Sequence, residues 1–167
     1  MSNDVYKKQQ GGEFQDHVKL RGCLEIALLD AKDGREIERV KINNTVVTSG
    51  RSYVLSRLMS SSPQTDQINA IGIGTSTTAP TTGDTLLTSE SLRVSIASFV
   101  TTGLTANPPS WQAQCTFLTN QCNTTLGEAG LFNSTSSNVQ TMLSHVTFST
   151  INKTTSNTLA ISYTISN

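Results

Sequence analysis

The chain has 167 residues, with 12 Lys and Arg balanced by 12 Asp and Glu for a formal net charge of +0, and only 5% aromatic residues. That balance gives no electrostatic footprint for nucleic acid, since duplex binding rests on Lys and Arg neutralising phosphates. No apolar run approaches the roughly 20 residues that span a bilayer, and the opening ten residues hold no apolar signal core, so a cytosolically made chain with no membrane partner is expected.

Charge is unevenly placed: after Arg93 only Glu128 and Lys153 are formally charged, in a background of Thr, Ser and Asn. A long segment that stays polar through hydroxyls and amides, while alternating apolar and polar positions, predicts β-structure suited to contacting other protein. The length suits one domain. Residues 1–17 scatter Val5, Tyr6, Lys7, Lys8 and Phe14 among polar neighbours around Gly11-Gly12 and cannot bury a face alone. They read as an extended N-terminal arm, leaving 18–167 as a single β-sandwich domain.

Asp33-Gly34 is a hairpin signal between strands over 20–29 and 36–47, with Leu24, Ile26 and Leu28 on one face and Val40 and Ile42 sharing a face of the second. Thr48-Ser49-Gly50 offers N-cap oxygens for the one expected helix, whose Val54/Leu58 stripe should pack on the sheet before Pro63 ends the run. Ile68 to Gly74 reads as a strand with Ile71 and Ile73 facing one way and Gly72 and Gly74 the other, which suggests close backbone approach. A Thr/Pro loop follows over 75–84. Strands led by Leu92, Val94 and Ile96, by Trp111, Ala113, Cys115 and Phe117, and by Leu159, Ile161, Tyr163 and Ile165 alternate strongly, with shorter ones at 129–132 and 142–148. About eight strands and one covering helix predict an all-β sandwich or jelly roll.

Candidate chemistry is sparse. Gly72-x-Gly74 lacks the third glycine and the following helix of a dinucleotide loop, so no cofactor is expected. Cys23, Cys115 and Cys122 have no metal-ligand spacing and read as buried free thiols, with no metal. Any nucleophilic constellation would have to use His145, with Glu128 the only carboxylate of the second half. Glu128, just before Ala129-Gly130-Leu131-Phe132, instead reads as a lone charge that accepts from turn amides or pairs with a distant Arg. Trp111, in phase with Ala113 and Cys115, reads as core more readily than as the stacking platform of a carbohydrate-binding surface with Tyr163. No catalytic residue is assigned.

The run Ile68-Asn-Ala-Ile-Gly-Ile-Gly-Thr75, Gly83-Asp84-Thr-Leu-Leu87 with Arg93, Glu128-Ala-Gly-Leu-Phe-Asn133, Met142-Leu-Ser-His-Val-Thr-Phe148 and the closing alternating strand resembles small β-sandwich virion proteins of tailed bacteriophages. The resemblance spans about residues 40–167. It implies a non-enzymatic virion protein in which Gly72, Gly74, Glu128 and Gly130 define the fold, and in which the arm residues Val5, Tyr6, Lys7, Lys8 and Phe14 contact a partner. Two placements follow. One is a capsid decoration (cement) protein on the outside of the head, bound to the major capsid protein and to copies of itself as a dimer or trimer. The alternative is a tail-collar or fibre-adaptor protein bound to portal, neck or tail-fibre proteins. The absence of a shaft segment after the last strand favours decoration. A carbohydrate-binding host-recognition module is the third expectation.

Overall fold

The computed structural model describes residues 20–59, 67–137 and 141–167; the arm residues Val5, Tyr6, Lys7, Lys8 and Phe14 lie outside them. In chain order the strands are β1 (Arg21–Asp30), β2 (Glu36–Asn43), β3 (Thr45–Val46), β4 (Ala70–Gly74), β5 (Glu90–Ser95), β6 (Ser98–Val100), β7 (Ser110–Phe117), β8 (Thr125–Phe132), β9 (Met142–Asn152) and β10 (Asn157–Ser166). A helix, α1 (Thr48–Met59), follows β3, and a 3-10 turn, Thr102–Thr105, follows β6. The strands form two antiparallel five-stranded sheets, in the orders β2-β1-β10-β7-β6 (sheet A) and β3-β9-β8-β4-β5 (sheet B). This is the predicted all-β sandwich.

The period-two pattern explains the packing. Leu24, Ile26 and Leu28 of β1, Ala113, Cys115 and Phe117 of β7, and Leu159, Ile161, Tyr163 and Ile165 of β10 are buried against Ile71, Ile73, Leu131, Val146, Phe148 and Ile151 of sheet B. Burying one Leu, Ile or Phe of this kind contributes about 1.5–3 kcal/mol. At the first hairpin Gly34 adopts φ +73°, which an L side chain adopts only with strain, and its amide donates to the Asp30 carbonyl. The β2 edge is guarded by charge: Arg39 pairs with Glu36 and Glu25, and Lys41 reaches Glu25 at 3.7 Å.

Five expectations need correction. The strand expected over 36–47 divides at Asn44, because β2 stays beside β1 while β3 crosses to pair with β9. With β6, which the sequence reading missed, the described strands number ten. The helix does not pack through a Val54/Leu58 stripe. Val54 is half-buried, but Leu55 and Leu58 are 59% and 81% exposed. It is anchored by its first turn, where Val47 and Gly50 are buried, a Cβ on Gly50 would overlap the Leu143 carbonyl, and the Ser49 hydroxyl donates to the Met142 carbonyl. Trp111 is not core. It opens β7 at the end of the sandwich, half-buried, with its ring tilted 53° to Phe99 at 5.9 Å. Of the three cysteines, all free, only Cys115 is buried, because Cys23 lies on the outer face of β1 and Cys122 in the loop after β7.

Candidate functional site

Sheet B is covered on both faces, and the chemistry gathers on the face turned away from sheet A. A second small core, Val47, Ala70, Leu87, Phe132 and Met142, forms there beneath the 75–89 loop. The β4–β8 register sets Gly72 opposite Gly130 and Gly74 opposite Glu128, and the flanking strands set Arg93 opposite Gly72 and His145 opposite Gly130. The four residues Gly72, Gly74, Glu128 and Gly130 therefore meet in one patch. Two facing glycines leave a floor on which the Phe132 ring rests: a Cβ at either Gly72 or Gly130 would lie 2.9 Å from Phe132 Cε2. At Gly74 a Cβ would overlap the Ser89 carbonyl, which explains why this strand carries glycine on alternate positions. The Arg93 guanidinium carbon lies 3.5 Å from the Phe132 ring centroid. Its nitrogens donate to both Glu90 oxygens (2.9 and 2.7 Å) and to the Ser134 and Ser136 carbonyls.

Beside this floor stands a buried acid–base node. Glu128, 0% exposed, accepts from the Ser89 amide at Oε1 (2.6 Å) and from the Thr88 amide at Oε2 (2.9 Å). The turn amides anticipated for it are those of the loop, and its side-chain partner is a histidine, not an arginine. His145 Nε2 lies 3.0 Å from Glu128 Oε2, and its Nδ1 lies 2.7 Å from Asp84 Oδ2. Asp84 also accepts from the Thr81 amide and hydroxyl. Burial works to raise the Asp84 pKa, but the bonds from Thr81 and from His145 outweigh it and hold the carboxyl below its usual value. Each ring nitrogen thus faces one carboxylate oxygen, and the ring bridges the loop to β8.

This geometry restricts what His145 can do. Both ring nitrogens are occupied and the residue is 1% exposed, so neither nitrogen is left to take a proton from a hydroxyl, thiol or substrate. The carboxylates sit on opposite ring nitrogens and do not converge on one point. Among the described residues no group of three His, Cys, Asp or Glu is placed to hold a metal ion. The Gly72-x-Gly74 amides belong to a strand paired on both sides, not to a loop open to a phosphate. Asp84 was missed as a partner because its sequence neighbours only announce a loop; the Thr81-x-x-Asp84 spacing, which lets the carboxylate accept from Thr81, was the available signal.

The remaining charge of the second half is also committed. Lys153, 1% exposed, donates to the Leu118 carbonyl (2.7 Å) and Asn123 Oδ1 (3.0 Å), tying the loop between β7 and β8 to the end of β9. Burial lowers its pKa, an effect that the neighbouring Cys122 opposes. Burial pushes the Cys115 thiol and the Tyr163 hydroxyl each up to about 12; Tyr163, wholly buried, offers no surface to a ligand.

The outward face of sheet A has a different character. Ser98 donates to Gln114, Gln114 to Gln112, and Gln112 to Thr164, giving a row of neutral amides and hydroxyls across β6, β7 and β10. A groove of about 400 Å³ runs along this face between Ser98 and Gln114 on one side and Glu25 and Arg39 on the other, floored by Ala27 and Ala160. Comparison with protein-family models, with curated proteins and with solved structures finds no match for this chain.

Proposed function

We propose that this chain is a non-enzymatic structural protein of a tailed-phage virion, acting as a capsid decoration (cement) protein that bridges capsomers on the outer surface of the head. The observation that carries the reading is the closed Asp84–His145–Glu128 node. The group best equipped for acid–base chemistry is spent on pinning the 75–89 loop to sheet B, while the open face of sheet A offers neutral hydrogen-bonding groups suited to a protein neighbour. The sequence resemblance over residues 40–167 supports the same reading.

Cementing works by linkage. A protein that binds only the mature lattice stabilises it by about 2.7 kcal/mol per site at a hundredfold excess over Kd, and the effect is repeated over the shell. Contacts made through neutral groups depend little on salt. The test is the copy number of this chain relative to the major capsid protein in purified virions, by quantitative mass spectrometry. A comparable number supports decoration; a few copies per particle would move the protein to the collar or fibre attachment, and absence from virions would refute both.

A further inference from the structure

We propose that the cleft between Phe99 and Trp111 is the seat of the chain's own N-terminal segment, with Phe14 as the side chain that fills it. The cleft, about 260 Å³, opens at the end of the sandwich and is lined by Gln67, Ile68, Phe99, Thr101, Leu104 and Trp111. It carries no charge, and its apolar walls are unusually open, with Phe99 48% and Leu104 54% exposed. Such a surface gains most from an apolar occupant.

The occupant is indicated by where the described chain starts. Leu20 precedes Arg21, which pairs with Ser166, itself opposite Ser110; in the next row Gly22, Ile165 and Trp111 face one another across β1, β10 and β7. Residues 1–19 thus join the domain at the same end as the cleft, two strands away, about 10 Å at 4.8 Å per strand. Leu20, Ile165 and Trp111 all pack on the main core, so both points lie at the same end of it. Six peptide links join Phe14 to Leu20, a reach of about 20 Å, which covers the distance with room to turn. Tyr6 and Val5 lie farther along the same segment. Tethering supplies an effective concentration in the millimolar range, so the segment of the same molecule outcompetes that of a neighbouring copy in dilute solution.

Trp111 is the only tryptophan of the chain and reports on its own cleft. Acrylamide quenching and the emission maximum would be measured on the full-length protein, on F14S and on Y6S, at several concentrations and at low and high salt. A seat filled more than half the time predicts a quenching constant at least roughly twofold higher in F14S, with red-shifted emission, and a smaller change in Y6S. Protection in the parent should be independent of concentration and of salt. Equal quenching of parent and F14S overturns the proposal, as does protection that grows with protein concentration, which would seat a neighbouring copy's segment. A parent Trp111 that is unprotected and becomes shielded on adding a neutral oligosaccharide would also overturn it, in favour of a glycan site.

Discussion

Replacing Glu128 with Gln keeps the volume of the side chain and removes its charge at the centre of the buried node. In the native protein the carboxylate accepts from the Thr88 amide, the Ser89 amide and His145 Nε2. The amide offers one acceptor oxygen and turns its NH2 group toward donors, so either Ser89 N–H or the Thr88–His145 pair loses its partner. One buried unsatisfied donor costs about 1–3 kcal/mol, and breaking one side of a buried charge pair about 3–5 kcal/mol. We therefore expect a loss of about 3–5 kcal/mol, a large part of the 5–15 kcal/mol typical of a domain. Urea unfolding followed by far-UV circular dichroism at neutral pH should show a lower midpoint with an unchanged slope, and thermal melting a drop of roughly 6–20 °C. E38Q, on the exposed β2 edge, should leave the midpoint in place. H145A and E128Q combined should cost less than the sum of the two. A loss below about 1 kcal/mol for E128Q would refute the view that this carboxylate pins the loop to the sheet.

Three further outcomes follow from the same face of sheet B and the thiols. G72A and G130A should each destabilise by about 1–3 kcal/mol by lifting Phe132 off its floor, G74A by more because backbone blocks it, and G83A, with only Thr81 Oγ1 at 3.8 Å, hardly at all; urea midpoints rank them. Asp84 is held below its ordinary pKa, so its contribution is fully present above the unfolded value near 4 and is lost as pH falls through the folded value; D84N should flatten stability against pH below about pH 4. Cys115, buried and pushed up to about 12, should resist a thiol reagent at pH 8 until the protein unfolds, so native protein should titrate at most two of its three cysteines.

The strands were legible because burial imposes a period of two on them, and β1, β7 and β10 show it almost without interruption. That Glu128 would need hydrogen-bond donors was legible because a single charge in a long neutral stretch has to be met by them. Its two loop amides and His145 were not, since they come from about 40 and 17 positions away, a distance that no spacing rule encodes. The helix misled for a related reason: leucines at helical spacing suggest a buried stripe, whereas a close backbone approach at Gly50 leaves no periodic trace. Trp111 shares the phase of core residues but sits at the strand's open end, where phase no longer implies depth.

The position of β10 has a consequence for biosynthesis. It lies in the middle of sheet A, between β1 and β7, so the first strand of the domain finds its central neighbour only when the last is made, roughly 130 residues later. At translation rates of about 5–20 residues per second, that is on the order of ten seconds during which β1 has only β2 beside it in sheet A. Completion of sheet A thus waits on long-range pairing with β10, and a nascent chain stalled before β10 would present an unclosed sheet to chaperones and proteases.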